Sequence, residues 1–222
     1  MRGDATTDGP TDGDGAAWYV GYGSNLSARR LACYLGGGRP AGSQRIYEGC
    51  RDPAPPCRTV AVWLPGGLRF GGTSRVWGGG MAFYDRDGDG RVAARAYLVT
   101  LAQFGDILAQ ESRRPPGTPY SLGEAVDGRL PALGGVYDTV LHLGDADGAP
   151  RLALAARRPP PAGPPSAAYL RPILAGLADG FGLSVEERVD YLLTAAGVRP
   201  RWDRDALRAL AGEVGADHVT PG

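Results

Sequence analysis

Short apolar runs separated by glycine, proline and aspartate dominate the chain as far as residue 156. Runs of this length, bounded by turn residues, are typical of strands. Two helices interrupt them, one over residues 27–35 that ends at three consecutive glycines, and one that begins after Thr100 and carries its apolar residues on one face. The strands are predicted at residues 18–22, 59–64, 68–70, 81–84, 92–99, 136–143 and 152–156.

Helical periodicity replaces the strand pattern after a proline-rich, extended segment at residues 159–165. The middle one of three further helices begins with a capping box formed by Ser184 and Glu187. Strands that precede helices, with no regular alternation of the two, indicate the α+β class and exclude a doubly wound sheet. These helices are predicted over residues 169–177, 185–196 and 204–211.

Charge adds little to this picture, because 24 acidic residues cancel 24 basic ones, all of which are arginine. A neutral chain without a basic stripe does not indicate binding to nucleic acid or to an anionic membrane. We therefore expect neither of those partners. The length of 222 residues and the 43% of hydrophobic residues fit one core. The composition does not indicate the oligomeric state.

The first 17 residues are rich in aspartate, glycine and threonine and contain no apolar run. They fit neither a signal peptide nor a membrane anchor, so we expect a disordered tail on a cytoplasmic protein. A second tail is expected at residues 213–222. Residues 18–212 would then form a single domain that ends in helices.

The sequence does not favour chemistry that depends on metal or histidine. Cys33, Cys50 and Cys57 form no CxxC pair, and the chain has two histidines. This argues against a zinc site, a disulfide framework and a Ser-His or Cys-His catalytic centre, so we expect no metal and no cofactor. Residues 85–90 begin like a calcium-binding EF-hand loop, but Ala96 occupies the position that needs a glutamate. A hairpin turn is the better interpretation.

The most informative segment is Tyr22-Gly23-Ser24-Asn25-Leu26, which lies between the first predicted strand and the first predicted helix. Glycine permits close approach of the backbone to a ligand, and a helix start offers unpaired N–H groups that can hold an anion. A substrate carboxylate or a developing oxyanion could bind there. Turns of this kind are also common as simple connections, so the segment alone leaves both interpretations open.

Three matches carry a resemblance to a known family. The first is YGSNL at residues 22–26, directly after an apolar strand. The second is a strand and a short helix that lead to residues 109–112, which read Ala-Gln-Glu-Ser and include Glu111. The third is residues 169–177, where Tyr-Leu is followed by Ile-Leu-Ala-Gly-Leu. Together they resemble the γ-glutamylcyclotransferase family and its γ-glutamylamine cyclotransferase relatives.

The resemblance implies a small mixed β-barrel flanked by helices, with Glu111 as the general acid/base. It also implies that the backbone of the YGSNL turn binds the α-carboxylate and carbonyl side of a γ-glutamyl group. The substrate's α-amine would attack its own γ-carbonyl and release 5-oxoproline and a free amine. The expected partner is a small-molecule γ-glutamyl substrate, and the substrate-binding residues would be Tyr22, Gly23, Ser24, Asn25, Leu26 and Tyr120.

The chain departs from the family pattern in ways that affect the pocket. Ser112 stands where glycine is frequent, and Gly21 stands where alanine is usual. The strand at residues 152–156 lacks the tyrosine that this strand often supplies. Tyr120 or Tyr137 could replace it, although each is more often a packed residue. The identity of the leaving amine therefore cannot be predicted.

Other interpretations remain open at this stage. Glu111 could be a solvated glutamate paired with Arg113 or Arg114. The same pocket could serve an amidohydrolase or an acyltransferase, with water or another amine as acceptor. A non-catalytic module that binds a small ligand is the third possibility.

Overall fold

The computed structural model describes residues 15–120, 136–199 and 201–216. Most strands precede most helices along the chain, as the sequence predicted. The strands are β1 (Ala16–Gly21), β2 (Arg58–Pro65), β3 (Gly67–Gly71), β4 (Met81–Asp85), β5 (Arg91–Thr100), β6 (Thr139–Ala146) and β7 (Ala149–Ala155). The helices are a 3-10 turn (Ser24–Leu26), α1 (Ala28–Leu35), α2 (Leu101–Glu111), α3 (Ala167–Phe181), α4 (Val185–Thr194) and α5 (Arg204–Ala216).

The two ends of the folded part extend further than the sequence predicted. β1 begins at Ala16, inside the segment expected to be a tail, because it pairs there with Thr100 of β5. The Leu101 N–H also donates to the Gly15 carbonyl. At the other end, α5 continues to Ala216. The remainder of both predicted tails lies outside the described residues.

Five strands form a mixed sheet in the order β2-β5-β1-β7-β6. β1 is the central strand, antiparallel to β5 and parallel to β7. β2 pairs with β5 and β6 pairs with β7, both antiparallel. β3 and β4 form a separate antiparallel pair. The class is therefore mixed α and β, with one five-stranded sheet and a two-stranded ribbon.

Two details of the predicted strand arrangement are wrong. The resemblance implied a barrel, but the sheet in the described residues is open, with β2 and β6 at its edges. The turn at residues 86–90 is not a hairpin turn, because β4 pairs with β3 while β5 pairs with β1 and β2. Turn residues mark where the chain reverses, but long-range burial decides which strands pair.

The sheet separates two hydrophobic clusters. Trp18 and Val20 of β1 point to one face, where α3, α4 and α5 pack. Ala17 and Tyr19 point to the other face, where α1 and α2 pack. β1 is therefore buried on both faces, which explains why its sequence is a continuous apolar run rather than an alternating one.

α3 packs directly on the turn that follows β1. A Cβ atom placed on Gly176 would lie 2.5 Å from the carbonyl carbon of Leu26 and 2.6 Å from its oxygen. Gly176 belongs to the third sequence match, and its role is to let the helix approach this backbone. The Ser184–Glu187 capping box predicted for the next helix is present.

We predict that Gly176→Ala destabilises the protein by about 1–3 kcal/mol, because the added methyl group overlaps backbone that cannot yield cheaply. Urea unfolding would measure this. Gly212→Ala in α5 is the matched control, since a Cβ there meets nothing within 4 Å. The control should gain about 0.4–1 kcal/mol. Equal stability of the two variants would contradict the proposed packing role.

Candidate active site

The YGSNL turn requires glycine for space. Gly23 has φ −104° and ψ −132°, outside the left-handed region. A Cβ there would lie 2.9 Å from the Tyr169 hydroxyl and 3.2 Å from Cβ of Ala82. At Gly21 a Cβ would lie 2.9 Å from Cβ of Asn25, so the alanine usual in the family would force this turn to shift. Close packing therefore accounts for both glycines.

Hydrogen bonds hold the turn from inside the protein. The Asn25 side chain donates to the Tyr19 hydroxyl at 2.6 Å, and the Asn25 carbonyl accepts from the Tyr97 hydroxyl at 2.8 Å. The Leu26 N–H donates to the Gly23 carbonyl at 2.9 Å. The first N–H groups of a helical turn have no acceptor within it, so those of Ser24 and Asn25 are left without an acceptor inside the turn.

Glu111 lies beside the YGSNL turn, although the helix that carries it, α2, begins near the other end of β1. β5 ends at Thr100, which pairs with Ala16 at the start of β1, and α2 begins there. From its first residue to its last, α2 rises about 15 Å over 11 residues. This is close to the length of β1, about 17 Å at the strand rise. The helix therefore runs back along the strand and places Glu111 beside the turn at the end of β1.

The position of α2 is fixed at both of its ends. Thr100 and Gln103 form a capping box, which confirms the cap that the sequence predicted. Near the other end, Gln110 is buried, donates to the Tyr34 carbonyl at 3.0 Å and accepts from the Gly49 N–H at 3.2 Å. These bonds to neighbouring backbone leave Glu111 little freedom to move away from the turn.

Glu111 is half-buried and accepts a hydrogen bond from the Tyr34 hydroxyl. Burial, and next the negative charge of Glu111, raise the pKa of Tyr34 well above its ordinary range, so this phenol stays protonated as a donor. None of the ion pairs in the described residues includes Glu111. The interpretation of Glu111 as a surface partner of Arg113 or Arg114 is therefore not what the structure shows.

Two adjoining cavities bring the turn and the glutamate together. Ser24, Glu111, Tyr137 and Tyr169 line both a cavity of about 350 Å³ and a smaller one beneath the turn. A volume of this size is in the range of small-molecule sites. Among the other predicted site residues, Tyr22, Gly23 and Asn25 line the smaller cavity.

Two predicted residues lie elsewhere. Leu26 is fully buried, and it lines neither cavity. Tyr120 packs against the cluster on the α1–α2 face and also lines neither cavity. Tyr137, the other tyrosine that the sequence suggested, does line both, and its hydroxyl donates to the Ala82 carbonyl at 2.8 Å.

Sequence reasoning did not find Tyr34, Arg30 or the inward position of the Tyr169 hydroxyl as parts of this site. Tyr34 and Arg30 lie on α1, which the sequence placed but did not orient toward Glu111. A buried tyrosine one helical turn after Leu31 on an apolar face was the available signal, but it is more often a packing residue.

The described residues contain no group of three or more His, Cys, Asp and Glu side chains arranged to hold a metal ion. Nor is any helix in the described ranges long and apolar enough to cross a membrane.

The chain has the fold of γ-glutamyl cyclotransferase. A solved structure of that enzyme superimposes with a TM-score of 0.50 at 15% identity, covering 89% of this chain and 99% of the enzyme. The structural resemblance indicated by the sequence is thus confirmed. A human protein described as uncharacterized gives a TM-score of 0.48 at 18% identity over 89% of this chain and 98% of that one. YkqA from Bacillus subtilis gives 0.43 at 17% identity over 79% of this chain and 52% of that protein.

Sequence comparison gives a different relative. Histone deacetylase 5 of Arabidopsis thaliana is 32% identical over 197 residues, a match that covers 79% of this chain. The chain spans 30% of the length of that plant protein. No protein-family model matches the chain.

We predict that Tyr34→Phe lowers the free energy of unfolding by about 1.5–3 kcal/mol, because it removes a hydrogen bond to a half-buried carboxylate. Chemical denaturation would measure the loss. Tyr191→Phe is the matched control, since the Tyr191 hydroxyl accepts from the neutral Ala93 N–H at 3.0 Å. The control should lose about 0.5–1.5 kcal/mol. A Tyr34→Phe loss no larger than the control's would contradict a charged hydrogen bond at Glu111.

Proposed function

We propose that this protein cleaves a γ-glutamyl amide by cyclisation and releases 5-oxoproline and a free amine. The observation that supports this most is the presence of Glu111 and the YGSNL turn on the same cavities, although they lie far apart in the sequence. The fold shared with γ-glutamyl cyclotransferase supports the same reaction class. Fold alone does not assign a function, so the proposal depends on the site.

The YGSNL turn holds the γ-glutamyl group in this mechanism. The N–H groups of Ser24 and Asn25 bind the substrate's α-carboxylate or the oxyanion that develops on the γ-carbonyl. Tyr22 and Tyr169 form the walls of the smaller cavity, so the glutamyl chain is held bent. A bent chain brings the α-amine close to the γ-carbonyl, and the intramolecular attack then has a high effective concentration.

Glu111 moves the protons. Its carboxylate takes a proton from the α-ammonium group, and the free amine attacks the γ-carbonyl carbon to form a tetrahedral intermediate. The protonated Glu111 then gives the proton to the leaving nitrogen, and the C–N bond of the amide breaks. The ring nitrogen still carries a second proton after the attack, and Glu111 passes it to the departing amine. The products are therefore 5-oxoproline and an ammonium ion. One carboxyl group is returned to its starting state after each cycle. Tyr34 keeps this carboxyl oriented through its hydrogen bond.

The product distinguishes this proposal from the alternatives. An amidohydrolase with the same pocket would release free glutamate, and an acyltransferase would pass the γ-glutamyl group to a second amine. A binding module would show no turnover. Mass spectrometry of reactions with γ-glutamyl dipeptides and γ-glutamyl amines separates these outcomes.

We predict that Glu111→Gln lowers kcat/KM for 5-oxoproline formation by about 100- to 10,000-fold, since the amide can neither accept nor donate the transferred proton. Substrate binding to the variant should persist. Glu213→Gln is the matched control, because Glu213 lies exposed on α5 and pairs with Arg171. The proposal is wrong if Glu111→Gln keeps the activity of the control.

A further inference from the structure

Arg30 is a buried cation that the proposed mechanism does not use. It is 4% exposed and lines the cavity of about 350 Å³ that also contains Glu111. Its guanidinium carbon lies 4.3 Å from the ring centres of both Tyr34 and Tyr47. One nitrogen, Nη2, donates to the Tyr47 hydroxyl at 2.6 Å. The Nε and Nη1 atoms are buried and have no hydrogen-bond acceptor in the described part of the chain.

A buried arginine in this state has no salt bridge among the described residues, and two of its N–H positions have no acceptor there. Arginine stays protonated, and a buried charge is costly unless it is paired. The aromatic rings offset part of that cost through cation–π attraction. They do not provide acceptors for the free N–H groups. Burial works to lower the pKa of Arg30, but nearby groups that include the Glu111 charge raise it. Glu111 nevertheless accepts its hydrogen bond from Tyr34 and does not fill the two free N–H positions of Arg30. Arg30 is therefore built to receive an anion from the cavity.

Three further arginines line the same cavity, which makes it strongly basic. They are Arg45, Arg75 and Arg113, and Glu111 is the only acidic residue among the described lining. No ion pair in the described ranges involves any of these three arginines or Arg30. Four positive charges therefore face one negative charge.

The three arginines are placed differently. Arg45 is half-buried and donates to the Gln110 carbonyl at 2.7 Å. Arg75 and Arg113 are exposed and lie at the mouth of the cavity. Arg113 has φ 57°, a left-handed conformation that is unusual for a residue other than glycine. This conformation ends α2 in a Schellman motif, in which the Arg113 N–H donates to the Gln110 carbonyl and the Arg114 N–H donates to the Ala109 carbonyl. Outside the mouth a second pocket adds Arg114 and one acid, Glu48.

A γ-glutamyl group cannot balance this charge. Its α-ammonium and α-carboxylate cancel, and the YGSNL turn would hold the carboxylate. The part of the substrate beyond the amide must then supply the negative charge. We propose that the amine released by this protein carries at least two negative charges, from carboxylates or a phosphate, and that Arg30, Arg45, Arg75 and Arg113 bind them. This inference rests on the proposed function, because that function decides which part of the substrate faces the arginines.

Direct binding tests the inference independently of turnover. γ-Glutamylglutamate and γ-glutamylglutamine are nearly equal in size and differ by one negative charge. Isothermal titration of the Glu111→Gln variant of the 222-residue chain with each compound would compare their affinities. We expect γ-glutamylglutamate to bind about tenfold or more tightly, as for a hydrogen bond to a charged group. The conjugates of phosphoethanolamine and ethanolamine form a second pair, which separates phosphate from carboxylate recognition.

Arginine variants locate the effect. Arg75→Gln and Arg113→Gln, each added to Glu111→Gln, should each reduce the preference about two- to fivefold, since both side chains are exposed. Arg30→Gln should reduce the preference for the charged compound more than either of these variants does. Thermal unfolding would confirm that the Arg30→Gln variant folds. Arg201→Gln is the control, because Arg201 lies outside the cavity and contacts Trp202. The preference should also weaken with added salt.

The outcomes separate the two proposals. Equal affinity for the charged and neutral dipeptides, or no binding by either, overturns the inference. So does a preference that Arg75→Gln and Arg113→Gln leave unchanged. A preference for the charged compounds without 5-oxoproline from the unmutated protein leaves the anion site standing and contradicts the proposed reaction. Equal rates of 5-oxoproline formation from both dipeptides contradict the anion site alone.

Discussion

The site depends on β1 being held from both sides. β1 pairs with β5 through Tyr19 and Tyr97 and with β7 through Tyr19 and Leu152, and helices cover both of its faces. A strand buried in this way cannot shift its register without exposing apolar side chains. The turn at its end is therefore fixed relative to the rest of the sheet, and Ser27 then caps α1 directly after it.

The position of Glu111 follows from the same strand. Because β5 is antiparallel to β1, α2 starts at the far end of β1 and must run its whole length to return to the turn. α1, leaving the turn, brings Tyr34 to meet Glu111. The helix length and the strand length thus match, and a carboxylate and a turn distant in sequence come to share a cavity. The same helix α1 places the cation of Arg30 in that cavity.

The cavity combines two kinds of chemistry. At the inner end, one half-buried carboxylate faces a turn whose N–H groups can hold an anion. At the outer end, arginines without acidic partners among the described residues form its lining. Tyr34 links the two ends, since its hydroxyl donates to Glu111 while its ring lies against the Arg30 guanidinium. An anion bound at Arg30 would therefore lie close to the carboxylate proposed to move protons.

The sequence by itself determined the features that short-range physics controls. The strand ending at the YGSNL turn, the caps at Thr100 and Ser184, and Glu111 at a helix end all depend on neighbouring residues. Tertiary structure alone decided that the sheet is open, that the turn at residues 86–90 joins two sheets, and that Tyr137 rather than Tyr120 lines the cavity. It also decided that Arg30 is buried with two N–H positions that have no acceptor among the described residues. These features depend on which distant surfaces pack together, and no local pattern of residues encodes that choice.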